Sequence, residues 1–80
     1  MAVFIYHFSC SSEESARSLA NAILVAGLQP RLRTPRLPDE LWVVLASAEL
    51  EPTAENLADL HQAMAEAAAR AGARLDGREP

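Results

Sequence analysis

The eighty-residue chain has a single cysteine, Cys10, two histidines, four aromatic residues, three glycines and no lysine. A lone cysteine excludes an intramolecular disulfide and any cysteine-rich metal centre. His7 and His61 lack a third ligand for a metal site, and a catalytic dyad would have to recruit Cys10, so no metal, cofactor or catalytic residue is expected. No apolar run approaches the length of a membrane span or a signal-peptide core, and the first residues carry no basic segment. A cytoplasmic protein that does not meet a membrane is therefore expected. Basic residues are few: seven arginines stand against eleven acids, for a formal net charge of −4. Such a chain lacks the counter-charge that nucleic-acid binding needs, so no direct nucleic-acid partner is expected. The deficit is uneven, with four arginines and four acids in residues 1–40 but three arginines and seven acids in residues 41–80.

What is present reads as a globular chain: half of the residues are hydrophobic and 22% are charged. Its length predicts one domain, residues 1–80, burying about two-thirds of its unfolded surface at best. Val3 to Phe8 is aromatic and β-branched, the pattern of a strand apolar on both faces. Ser11 and Glu14 fit a capping box, and Ala16, Leu19, Ala20 and Ile23 then recur at helical spacing until Gly27. Leu28 to Leu37 reads as an edge strand, because Pro30 and Pro35 cannot donate to a ladder. Pro38-Asp39-Glu40 makes a turn. Leu41 to Ala46 is the most strand-like run and suits a central position. Thr53 caps a second helix with Leu57, Leu60, Met64, Ala67, Ala68 and Ala71 on its buried stripe, and Gly72 ends it. Ala73 to Leu75 is a short last strand, closed by a turn at Asp76-Gly77.

The order β-α-β-β-α-β predicts an α+β, ferredoxin-like two-layer sandwich: a four-stranded antiparallel sheet with both helices on one face. Right-handed crossovers place the first and third strands centrally. Both central strands are apolar on both faces, yet the helices cover only one. Either Val3, Ile5 and His7 or Phe4, Tyr6 and Phe8 must then lie on the open face, and the polar tip of His7 favours the first set. An uncovered apolar face marks an interface with a partner or with a second copy.

Among side chains that carry chemistry, Cys10 precedes a helix start, where a thiol can be activated, but a passive small residue explains it as well. His7 and His61 read as half-buried packing residues. Arg31, Arg33 and Arg36 form the only basic cluster, with Arg31 and Arg33 on one side of a strand. The cluster fits a contact to phosphates or to an acidic partner, and equally the protection of a sheet edge. Glu49, Glu51, Glu55 and Asp59 surround the start of the second helix, where its dipole favours acids. Trp42 is either a core residue, whose change to Ala costs about 3 kcal/mol or more, or an exposed anchor costing below about 1 kcal/mol. Signatures of other proteins with this fold are missing: four cluster cysteines, a Cys-x-x-Cys pair, a Gly-rich anion loop, and aromatic and basic residues on the third strand. An enzyme is not expected.

A set of ordered features remains: an aromatic first strand, a Ser-rich helix start, Ala26-Gly27, Trp42 opening the third strand, Pro52-Thr53, and Asp76-Gly77 in the tail. In that order they resemble the bacterial regulator of ribonuclease activity B (RraB) family, whose members inhibit ribonuclease E. Leu75 and Arg78 stand where that family has Tyr and Trp in its tail. The resemblance implies a noncatalytic α/β sandwich that binds a protein partner such as a ribonuclease E homologue. Arg31, Arg33, Arg36, Trp42, Asp76 and Gly77 are the candidate contact residues. The alternative is a ferredoxin-like module of unrelated regulatory or small-ligand-binding role that self-associates as a homodimer through its open face.

Overall fold

The computed structural model describes residues 2–37 and 39–79. Its elements run β1 (Ala2–Cys10), α1 (Glu13–Val25), β2 (Gln29–Arg33), β3 (Trp42–Leu50), α2 (Ala54–Ala71) and β4 (Arg74–Glu79). The four strands form one antiparallel sheet in the order β2-β3-β1-β4. This is the expected two-layer α+β sandwich, with the first and third strands central and the second and fourth at the edges.

Period two in the strands decides what is buried. On β1, Phe4, Tyr6, Phe8 and Cys10 point to the helices, and on β3 so do Val44, Ala46 and Ala48. They meet Ala16, Leu19, Ala20 and Ile23 of α1 and Met64, Ala67 and Ala68 of α2 in one core. Leu57, Leu60 and Ala71 pack at its rim. Each helix ends in a left-handed glycine. Gly27 has φ 87° and Gly72 φ 68°, a region that costs other residues energy. Both ends are of Schellman type: Leu28 N–H reaches Ile23 O at 3.1 Å, and Ala73 N–H reaches Ala68 O at 2.9 Å. The Ser15 hydroxyl donates to Ala71 O at 2.6 Å, tying the start of α1 to the end of α2.

Several expectations are corrected. The cap of α1 is Ser12, one residue later than Ser11, and its hydroxyl accepts from Ser15 N–H at 3.1 Å. The residue three after it is Ser15, so no reciprocal capping box forms with Glu14. Glu13 and Glu14 both lie in the first turn, and Glu13 pairs Arg17, four residues on, at 2.7 Å. The strand β2 stops at Arg33, before Pro35, and β1 and β3 are each nine residues long. Thr53 caps α2 as expected, accepting from Asn56 N–H. In the expected turn before β3, Pro38 lies outside the described residues.

The tail differs most. Asp76-Gly77 does not turn the chain but continues it as strand: Leu75 pairs Phe8 and Gly77 pairs His7, with Asp76 as the extra residue of a β-bulge. A nine-residue β1 would otherwise leave much of its second edge unpaired, and the bulge lets β4 follow it as far as Ile5.

Candidate functional site

The helices leave one side of the sheet bare. Along β1 it carries Val3, Ile5, His7 and Ser9, which is the set expected there from the polar tip of His7. Val3 is 53% exposed and the other three are half-buried. The pairing register lines these up with their neighbours in rows across the sheet. One row reads Arg33, Val43, Ser9, Arg74; the next Arg31, Leu45, His7, Gly77; the third Gln29, Ser47, Ile5, Glu79. The face thus has a cationic margin on β2, a centre where Val43, Leu45 and Ile5 stand among Ser9, His7 and Ser47, and a mixed-charge margin on β4. Shallow depressions run over it. Ile5, Gln29, Pro30, Arg31, Leu45 and Ser47 line one, and another lies among His7, Arg33, Val43 and the β4 residues from Asp76 to Glu79.

Charges on the β4 margin are mutually engaged. The Ser9 hydroxyl donates to Asp76 Oδ2, and Arg74 Nε lies 3.2 Å from Asp76 Oδ1. His7 Nε2 lies 3.0 Å from Glu79 Oε1, an ion pair when the ring is protonated. Gly77 sits directly across from His7, and a Cβ built on it would meet nothing within 4 Å. The space at Gly77, beside His7, is therefore open because a side chain is missing there.

Of the six residues singled out from sequence, Arg31, Arg33, Asp76 and Gly77 come together on this face. Arg36 lies in the β2–β3 loop next to Arg33; the two share a depression with Thr34 and Glu40, whose carboxylate accepts Arg36 N–H at 3.0 Å. Trp42 is apart from them. It follows the parity of Val44 and packs, half-buried, against the core on the helix side. Leu75 and Arg78 also face that side: Leu75 packs on the core, and the Arg78 guanidinium lies 5.1 Å from the Phe4 ring centroid, a cation–π contact. The apolar centre formed by Val43 and Leu45 with Ile5 was missed as a set. Its signal was the doubly apolar pattern of the two central strands.

The remaining reactive groups do not converge. Cys10 is only 1% exposed. Burial pushes its thiol above the ordinary value of 9.0, and the Asp76 carboxylate adds to the rise, while a hydrogen bond with Ser15 opposes it. His7 is on the opposite face of β1 from Cys10, as odd and even positions of a strand must be. His61 is exposed rather than half-buried, and its ring lies 6.3 Å from the buried Tyr6 ring. Among the described residues no group of three or more His, Cys, Asp or Glu could hold a metal ion. No described helix is long and apolar enough to cross a membrane.

A family model described as "Regulator of ribonuclease activity B" (RraB) matches residues 3–79, nearly the whole chain. No curated protein matches it in sequence.

Proposed function

The chain belongs to the RraB family of regulators of ribonuclease activity, and we propose that it acts without catalysis of its own, by docking the open face of its sheet on a ribonuclease of the ribonuclease E type. The observation that carries this reading is the uncovered apolar centre of Val3, Ile5, Val43 and Leu45, bordered on one side by Arg31 and Arg33. An apolar centre inside a polar rim is the usual anatomy of a protein interface. Covering roughly 200 Å² of apolar surface returns about 5 kcal/mol at 25 cal/mol per Å². The ordering costs of association consume most or all of that. Charge pairing at the margins then has to supply the discrimination between partners.

A regulator that binds needs no nucleophile, and the arrangement agrees with that. The one thiol is buried and held neutral, away from His7 on the other face. The surface over the sheet is shallow and open, a shape that suits a macromolecule better than a small substrate. Arg31, Arg33, Asp76 and Gly77 are the proposed contact residues, with Arg36 at the margin. Trp42 is proposed to serve the partner indirectly, by holding the end of β3 against the core. The site of action on this reading is the cytoplasm.

The test is capture of the ribonuclease E homologue of the source organism by the purified protein, followed by an RNA-cleavage assay. Binding with slowed cleavage is expected. Capture with unaltered cleavage, or no capture, would sink the proposal.

A further inference from the structure

The following rests on the reading that the open face meets the ribonuclease, and concerns which part of that partner it takes. Among the described residues the arginines differ in what they touch. Arg17 pairs Glu13, Arg74 pairs Asp76, and Arg78 lies over Phe4. Among the described residues Arg31 and Arg33, like Arg36 and Arg70, form no ion pair and no side-chain hydrogen bond, in a chain with eleven acids. Both are exposed, and both project over the open face two residues apart, about 6.7 Å along a strand. Directly beside them in the register stand Leu45 and Val43, with Ile5 in the same depression as Arg31. Two unmatched guanidinium forks next to uncovered aliphatic side chains have an obvious complement: closely spaced carboxylates next to aliphatic side chains.

We propose that the open face takes an acidic, aliphatic-rich segment of the ribonuclease chain, its carboxylates on Arg31 and Arg33 and its apolar side chains on Ile5, Val43 and Leu45. Two other occupants fit less well. Single-stranded RNA is held by stacking on aromatic rings along a basic track. All four aromatic residues here face the helices, and Asp76, Glu79 and Glu49 border the face. A second copy would bring Glu49 as the one unengaged carboxylate bordering this face among the described residues, because Asp76 is held by Ser9 and Arg74 and Glu79 by His7.

The experiment is a set of overlapping fifteen-residue peptides covering the ribonuclease E homologue, probed with the full chain, its R31E/R33E variant and its V43E/L45E variant. Thermal melts establish that both variants are folded. Intact ribonuclease and a twelve-residue uridine RNA are run in parallel. Bound peptides are expected to be acidic with at least two aliphatic residues. Their affinity should fall at least tenfold in R31E/R33E and several-fold between 50 and 300 mM salt. Basic or polar bound peptides, RNA bound more tightly than any peptide, or dimers of the chain that the peptides do not dissociate would overturn the proposal. If intact ribonuclease is captured by the wild type and by R31E/R33E but not by V43E/L45E, the acidic segment falls and the open face stands. Loss of neither capture removes both.

Discussion

One strand shows the whole division of labour in this molecule. Along β1, Phe4, Tyr6, Phe8 and Cys10 are sealed under the helices, whereas Val3, Ile5, His7 and Ser9 on the other side have no helix above them. Both sets are rich in apolar side chains, so hydrophobicity does not separate them. Parity does. One set is committed to folding, and the other is the surface proposed above to meet a partner. The same split runs through β3, with Val44 and Ala46 in the core and Val43 and Leu45 on the bare face. Changes at even positions of β1 and β3 should therefore cost stability, and changes at odd positions should cost regulation.

The largest expected effect is at Phe8, which is fully buried. Phe8→Ala should lose about 3–5 kcal/mol, against a total of about 5 kcal/mol or a little more for a domain of this size. The roughly 0–2 kcal/mol that remains should bring the denaturation midpoint close to zero denaturant; a loss under about 1 kcal/mol would break the division at its firmest point.

Next comes Cys10. Its buried thiol should resist alkylation by iodoacetamide in native conditions and react promptly in guanidinium. The sign of the pH effect follows from its raised pKa, since the fold favours the neutral thiol. That contribution is complete below the unfolded-state value near 9.0 and is lost as pH rises through the higher folded value. Melts above pH 9 should thus show a decline that Cys10→Ala reduces.

Smaller still is Leu45→Ser on the open face, expected to cost below about 1 kcal/mol because the side chain is already half in water. It should weaken ribonuclease capture all the same, and a variant that lost stability without losing capture would reverse the assignment of the faces. The smallest effect is at Tyr6, whose buried hydroxyl has no hydrogen-bond partner among the described residues. Tyr6→Phe should leave the melting curve unchanged or slightly raised, since no bond is lost and a desolvated hydroxyl is removed.

Much of this division was legible in the residues themselves. The helical repeat of Ala16, Leu19, Ala20 and Ile23, the glycines at 27 and 72, and the prolines in and just after β2 carried the fold, because each acts through local geometry. The polar tip of His7 correctly marked the open face. The tail was misread because an Asp-Gly pair favours turns locally, whereas here the unpaired edge of β1, some seventy residues away in sequence, draws it into the sheet. Ser11 and Ser12 are equivalent as caps by residue type, and β1 running on to Cys10 leaves Ser12 as the one whose hydroxyl takes Ser15 N–H. The site was half legible for the same reason. Arg31 and Arg33 share a side of one strand by simple alternation, but their union with Asp76 and Gly77 needs the register of three strand pairings. Trp42, an attractive anchor by residue type, turned to the core because it shares the parity of Val44.

Gly77 offers the most direct test of the central claim, that the open face is where regulation happens. A side chain there meets no atom within 4 Å and the backbone is not left-handed, so Gly77→Tyr should fold with a melting temperature close to that of the wild type while filling the space beside His7. RNA cleavage by the ribonuclease E homologue should then be slowed by the wild type and proceed unhindered with Gly77→Tyr. Equal inhibition by both proteins would contradict the account.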